Sequence, residues 1–434
     1  MIQIKDNSKI TEYKDHPIVQ KLQNRDLSDL AKENFIIFPP TIEHSEDLDE
    51  RNQIFATDNG ETYTGNIVGM MKMGTDQLQI HSRFYMHDDN GTDFFLQYLL
   101  HKVLNSNVIT YTTNMDHKQS IFDLLAYIFP AYLNNALQKG LYKEYVKKKY
   151  NDPNLKGSIN VARHLQLNPI FKGKISYDTS EFNYDNAVTQ LIRHTIEKLK
   201  NNLSFDLFMD DQTRQNIQAI VQATPSYSKL ERRKIISENQ LKYVRHSYFE
   251  EYYLLQKLCL QILNDDYVGF GADEEEIQGV IIDIAWLWEE YLSTLLSPNF
   301  IHPQNIGSAR GISLYRDRVL TVYPDFYSLN KKLVLDAKYK NMDSSLKGMQ
   351  REDRYQMISY LHILKANQAG IIYPSFSQQQ LIPVGQLNGY GGNLLKIPFK
   401  IPQYCESFQM FVEEMEQNEH NFLAIVNQEI VYQV

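Results

Sequence analysis

Two carboxylates and an amine stand close together in one stretch of this chain. It reads Tyr323-Pro-Asp-Phe326, a short turn, then Leu333-Val-Leu-Asp-Ala-Lys-Tyr-Lys340. Leu333, Val334, Leu335 and Tyr339 give the second segment strand character, and a period of two puts Asp336 and Lys338 on one face. Ser328-Leu-Asn-Lys331 carries turn chemistry, which would fold residues 320–326 back on that strand and set Asp325 beside Asp336. Clustered carboxylates are unfavourable without a cation, and oxygen ligands on one edge suit Mg²⁺, which keeps its other positions for water and phosphate. Lys338 can orient or help deprotonate an attacking water and offset charge building on a phosphate. The trio has the chemistry of metal-dependent phosphodiester hydrolysis. By itself the segment also reads as a surface hairpin with an ordinary Asp and Lys face.

Two predicted helices extend the trio. In Asp283-Ile-Ala-Trp-Leu-Trp-Glu-Glu-Tyr-Leu-Ser-Thr-Leu-Leu296, the apolar Ile284, Leu287, Trp288, Tyr291 and Leu295 follow helical spacing, with Asp283 as N-cap. Glu289 and Glu290 flank that stripe, where a carboxylate can face a cleft at a sheet edge. Downstream, Gln356 and Tyr360 lie four apart, on one side of a helix. Each helix alone is explained by packing with solvated polar positions. The order Glu helix, Asp strand, Asp-x-Lys strand, Gln-x-x-x-Tyr helix forms a single constellation.

That constellation resembles the PD-(D/E)xK nuclease superfamily, its last element the variant of RecB-type nucleases. More narrowly, the chain resembles the McrC family, the nuclease subunit of modification-dependent restriction systems of the McrBC and LlaJI type. The likeness is carried by Asp283 to Glu289, Pro324-Asp-Phe326, Leu335-Asp-Ala-Lys-Tyr339 and Asp353-Arg-Tyr-Gln-Met-Ile-Ser-Tyr360. Gly140-Leu-Tyr-Lys-Glu-Tyr145, Lys156-Gly-Ser-Ile-Asn160 and Tyr184 to His194 also resemble family segments, so the likeness runs from about residue 60 to 365. Two positions depart from it. Trp288 stands where the family usually has Phe, a conservative change in packing, and an Asn near Gln190 is missing.

The resemblance implies a mixed α+β or α/β chain. Residues 1–150 would form a β-rich and helical N-terminal domain that docks to an AAA+ motor. Residues 151–434 would form a helical lead-in and a nuclease domain with a central mixed sheet flanked by helices. It implies catalytic roles for Asp325, Asp336, Lys338, Glu289, Gln356 and Tyr360, with Mg²⁺ held by Asp325, Asp336 and Glu289. The implied partners are an McrB-like AAA+ GTPase hexamer, which the chain would stimulate, and double-stranded DNA.

Length and composition agree with such a chain. Its 434 residues, 43% apolar, can fill two or three cores. Cys259 and Cys405 make neither a disulfide framework nor a zinc site and read as buried thiols in a reducing compartment. The start Met-Ile-Gln-Ile-Lys-Asp lacks a signal peptide's apolar core, and no stretch reaches membrane-spanning length, so the expected location is the cytoplasm. A net charge of −9 disfavours unaided DNA binding. From Lys331 to Arg354, however, there are seven Lys or Arg against four Asp or Glu, one of them Asp336. A basic site on an acidic protein suggests that another subunit supplies much of the DNA grip.

Along the chain, residues 65–74 and 77–85 read as a hairpin around Gly74-Thr-Asp76, followed by helices near 94–105, 117–129 and 131–149. Asn151-Asp-Pro-Asn154 is the expected domain boundary. Helices near 185–202, 210–222 and 247–264 precede an acidic loop at 265–276. Gly389-Tyr-Gly-Gly392 reads as a loop near the sheet, and no Gly-x-x-x-x-Gly-Lys-Ser/Thr occurs, so the chain is not expected to hydrolyse nucleotides itself. Met70, Met71 and Met73 read first as core, with an adaptable contact surface as the alternative. His194 and His246 show no ligand spacing. Two other functions fit the same sequence: a self-sufficient RecB-type repair nuclease, and a catalytically silent, motor-activating adaptor.

Overall fold

The hairpin at Gly74 is the middle of a five-stranded sheet. Ile67–Met73 pairs antiparallel with Asp76–His81, as its apolar run and Gly-containing turn predict. Ile2–Lys5 adds in parallel outside Asp76–His81. On the other side the next strand comes from far along the chain: Ile277–Asp283 pairs antiparallel with Ile67–Met73 and parallel with Asn34–Phe38. Gly69, at φ 154°, lets these backbones approach, since a Cβ there would lie 2.1 Å from the Val280 carbonyl oxygen. Met71 and Ile281 are fully buried in the core of this layer and Met70 is nearly so, while Met73 is partly buried and packs against it, so Met70 and Met71 are core residues.

The structure, a computed structural model, describes residues 1–39, 53–86, 92–104, 121–202, 210–264, 277–303, 311–317, 320–340, 342, 349–376, 380–389 and 391–431. The expected acidic loop at 265–276 and the start of the helix expected at 117 lie outside these residues. The chain divides into two compact units, Met1–Leu124 with Ala272–Val434, and Leu125–Gly271. The division expected at residue 150 therefore does not hold. The N-terminal sheet takes its strand Ile277–Asp283 from beyond the second unit, so residues 1–150 do not close a core of their own. Asn151-Asp-Pro-Asn154 is a strand-ending turn, in which Asp152 Oδ1 accepts from the Asn154 amide at 2.8 Å.

The first unit contains a second, six-stranded sheet. Its order is Phe300–Ile301, Phe326–Ser328, Leu333–Ala337, Gln368–Ser375, Asn393–Lys400, Ile382–Gln386, with the three central neighbours parallel and the outer pairings antiparallel. Helix Arg351–Leu364 packs Met357, Leu361 and Leu364 against Val334, Ile371 and Tyr373. Helix Ile284–Leu296 sets Trp288 and Tyr291 edge-on to Phe399, and helix Phe408–Val431 brings Phe422 to the same ring. Leu292 and Leu296, rather than Leu295, complete the buried stripe of the Glu helix. The Gly389–Gly392 segment joins the last two strands, with Gly389, Gly391 and Gly392 all at positive φ.

The second unit holds a three-stranded sheet and a helical core. The core helices include Ala187–Asn202, Asp211–Ala223, Arg232–Leu241 and Glu250–Asn264, with Leu191, Ile196, Leu255 and Leu258 fully buried among them. The helix expected over 131–149 is not formed as such. Helix Ile121–Leu137 runs through Pro130, and Glu144–Asp152 is a strand paired along its whole length with Ile175–Asn183. The Tyr145, Val146 and Tyr150 of that segment suit a strand once a distant partner is present. Among the described residues no helix is long and apolar enough to cross a membrane. Cys259 and Cys405 are free and buried.

Candidate active site

Asp325 and Asp336 meet because the hairpin between them closes as its sequence dictates. Lys331 adopts the left-handed conformation at φ 59°, and its amide donates to the Ser328 carbonyl at 2.7 Å. Ser328 Oγ accepts from the Leu333 amide at 3.0 Å. Phe326 then faces Leu335 and Tyr327 faces Val334 in the ladder. One step beyond it, Asp325 Oδ2 accepts the Ala337 amide at 2.6 Å, so the first carboxylate is fastened to the peptide next to Asp336. Lys338, past the strand end, donates its own amide to the Ile372 carbonyl at 2.9 Å.

Asp336 has no exposed surface, and its Oδ1 finds no hydrogen-bond donor. Its Oδ2 lies 3.0 Å from Lys338 Nζ, a contact made at ion-pair distance without hydrogen-bond geometry. An unsatisfied buried carboxylate is expensive and needs an explanation. Burial raises the pKa of Asp336 despite the opposing pull of Lys338. Burial, then the charges of Asp336 and Glu289, holds Asp325 well above the usual carboxylate range. Burial likewise lifts Glu289 to about 8, helped by Glu290 and Asp336. Lys338 responds in the complementary way. Burial works against its charge, but Asp336 and Asp325 outweigh burial, so it is more basic than an ordinary lysine. While it faces these acids it is a cation and not a base.

The Glu helix starts where the sequence places it. Asp283 ends the strand Ile277–Asp283 and caps the helix, accepting from the Ala285 and Trp286 amides at 2.9 and 3.0 Å. Trp288 is fully buried between Phe95 and Phe399, which fixes the helix rotation and leaves Glu289 and Glu290 partly exposed at its rim. On the opposite helix, Gln356 Nε2 donates to Tyr360 Oη at 3.2 Å, and Tyr360 Oη reaches the Tyr323 carbonyl at 3.4 Å. The pair thus braces the backbone two residues before Asp325. Burial raises Tyr360 to about 12, with Asp336 and Asp325 adding to the effect against the Gln356 hydrogen bond.

All six expected residues therefore belong to one neighbourhood. Asp325, Asp336, Lys338 and Glu289 act on one another's charge, while Gln356 and Tyr360 support them from behind. Three further residues were not foreseen. His302 donates from Nδ1 to the Asp325 carbonyl at 2.7 Å and turns Nε2 towards Glu290 and Glu289. Lys340 pairs with the buried Asp353 at 2.9 Å, and Asp353 in turn bears on Asp336 and Lys338. Lys340 shares the strand parity of Lys338 and Asp353 lies one helical turn before Gln356, both visible signals. His302 carries no such signal.

Among the described residues no three His, Cys, Asp or Glu side chains form a ready-made metal cluster. Oxygen donors that repel one another and a buried Asp336 Oδ1 without a partner nevertheless fit a hard divalent cation.

Comparison with known proteins gives the site its family. No curated protein matches the chain. A chain from an assembly of Thermococcus gammatolerans McrB AAA+ hexamers with bound McrC is similar over 96% of this chain and 99% of its own length, at 16% identity and a TM-score of 0.45. A chain of the McrBC complex of that organism is similar over 71% and 89%, at 15% identity and a TM-score of 0.32. The sequence model of the McrBC 5-methylcytosine restriction system component matches residues 63–374, a span that includes every residue of the site. On that match the chain belongs to the McrBC restriction-system component family.

Proposed function

We propose that the chain is the DNA-cleaving subunit of a motor-dependent restriction system, hydrolysing phosphodiester bonds with Mg²⁺. The observation that carries the reading is the buried carboxylate of Asp336, short of partners, 3.0 Å from Lys338 and one peptide from the fastened Asp325. In this reading the six-stranded sheet and its flanking helices are a PD-(D/E)xK nuclease core. Asp325, Asp336 and Glu289 hold the ion. When bound, Mg²⁺ lowers the pKa of a water and polarises the phosphate.

The chain's own residues do the remainder. Lys338 keeps its proton beside the acids, orients the attacking water by donating to it, and offsets charge that grows on the phosphate. Gln356 and Tyr360 brace the Tyr323 backbone two residues before Asp325, the kind of support that catalysis by positioned carboxylates demands.

A motor partner is inferred from what the chain lacks. It has no nucleotide-binding loop and carries a net charge of −9, poor for gripping duplex DNA alone. In the Thermococcus gammatolerans assembly McrC is bound to McrB AAA+ hexamers, and an AAA+ partner, which we take to be a GTPase, is the one we infer. The test combines duplex DNA, Mg²⁺ and GTP with the full chain, with the partner, and with both. Cleavage is expected only with both, together with faster GTP turnover by the partner. Robust site-specific cutting by the chain alone would instead support the self-sufficient nuclease. Accelerated GTP turnover with no cutting at all would support the silent adaptor.

A further inference from the structure

Ladder pairing between the Asp336 strand and Gln368–Ser375 ends at Ala337, yet Lys338 and Lys340 lie beyond that point. The Lys338 amide is held by the Ile372 carbonyl at 2.9 Å. What holds the peptide after it comes from the N-terminal sheet. Arg83 lies just past the strand Asp76–His81, in a turn closed by the Tyr85 amide on the Ser82 carbonyl at 2.9 Å. Asp93 clamps that turn, accepting from the Ser82 amide at 2.6 Å and the Ser82 hydroxyl at 2.9 Å. The Arg83 guanidinium carbon stands 4.1 Å from the centroid of the Tyr339 ring, a cation–π contact, and one guanidinium nitrogen donates to the Tyr339 carbonyl at 3.3 Å. The same nitrogen donates to Asn66 Oδ1 at 3.4 Å. The Asn66 carbonyl in turn accepts the amide of Ile284, first residue of the Glu helix, at 3.2 Å. The buried carboxylate of Asp6 supplies the counter-charge at 3.6 Å. A planar fork suits this place because it can lie on a ring by its face and donate from its edge at once.

We propose that Arg83 is a positioning residue of the candidate site, a role that rests on the nuclease reading above: it stands in for the missing strand partner at Tyr339, keeps Lys338 in place beside Asp336, and ties that segment to the root of the Glu helix. Lys338 then lies between two fastened peptides, its own amide on Ile372 and the Tyr339 carbonyl on Arg83. Freed at the second, the segment can swing, and the ammonium now 3.0 Å from Asp336 loses its fixed place.

The test is the single-turnover rate of Mg²⁺- and GTP-dependent cleavage by the full chain with its AAA+ partner. Arg83→Met keeps the length of the side chain and removes its donors and charge. It is made in an Asp6→Asn background, so that no buried carboxylate loses its counter-charge. Relative to Asp6→Asn alone, cleavage should fall by roughly tenfold or more, the scale of a small misplacement at the chemistry, while circular dichroism and stimulated GTP turnover verify a folded, docked chain. If Arg83 acts through Lys338, the same change made on Lys338→Ala should cost less than about twofold, because the two losses are then one. A merely structural role predicts an equal further loss. Arg83→Lys keeps the charge opposite Asp6, and with it the fold, but a point charge cannot cover the ring and bridge both oxygens together. It should show the same dependence on Lys338 with a smaller loss. Normal cleavage by a folded Arg83 variant, or a loss undiminished on Lys338→Ala, would overturn the proposal alone. Wild-type chain that cuts nothing with its partner present would overturn the nuclease reading and the role of Arg83 with it.

Discussion

Lys338 shows how much a single residue's surroundings decide. Two acids hold its proton on more firmly than in water, so in the proposed reaction it contributes a compact, fixed positive charge. Arginine preserves the charge but replaces the compact ammonium with a planar fork of different geometry. Lys338→Ala and Lys338→Arg should both lose cleavage by about a hundredfold or more, the scale of losing one preorganised donor to developing charge. Near-normal turnover by the Arg variant, measured with the partner present, would reduce Lys338 to a charge carrier. In the second unit His194 gives the opposite case. Burial, reinforced by Arg232, lowers its pKa from 6.5 to about 4. The unfolded chain therefore takes up that proton before the folded one, so stability is complete above pH 6.5 and is lost as pH falls towards 4. The loss amounts to at most about 3 kcal/mol. His194→Gln should flatten the difference in melting temperature between pH 7 and pH 4.5, and an unchanged slope would mean the imidazole is better solvated than its burial indicates. At this scale the sequence was readable where chemistry is local. Asp325, Asp336 and Lys338 share one hairpin, and Gln356 and Tyr360 one helical face. His302 lies 23 residues from Asp325, and only the pairing of Phe300–Ile301 with Phe326–Ser328 brings it there.

Among the elements, the strand Ile277–Asp283 does the most to connect fold to site. It completes the N-terminal sheet, ends in the cap of the Glu helix, and so sets where Glu289 begins its turn. Its close approach to Ile67–Met73 needs a residue without Cβ at Gly69, as the 2.1 Å distance to the Val280 oxygen requires. Gly69→Ala should cost several kcal/mol, because backbone and not a flexible side chain must yield. Equilibrium denaturation checks this, and a loss below about 1 kcal/mol would show that the pairing is looser than described. Period and turn chemistry made the Met-bearing hairpin, the Asp336 hairpin and the Glu helix legible. They misread residues 144–149 as helix because strand pairing with Ile175–Asn183 is non-local, and Lys-rich segments satisfy helical propensity as readily.

For the whole molecule, the mixed α/β architecture was legible and its partition was not. Turn residues at 151–154 imitate a linker, while the real continuity of the first unit runs through a strand supplied more than two hundred residues later. The composition was a better guide at this scale. An acidic chain with a basic stretch around an Asp-x-Lys strand and no nucleotide-binding loop suits the proposed role of cutting DNA that another subunit holds. In the proposed function, this cutting depends on the carboxylate of Asp336. Asp336→Asn keeps the shape of the side chain and removes its charge, and the decisive measurement is Mg²⁺- and GTP-dependent cleavage of duplex DNA by that variant with its AAA+ partner. Cleavage is expected to fall by orders of magnitude, with folding and stimulation of the partner's GTP turnover both retained. Full cleavage by a folded Asp336→Asn protein would contradict it.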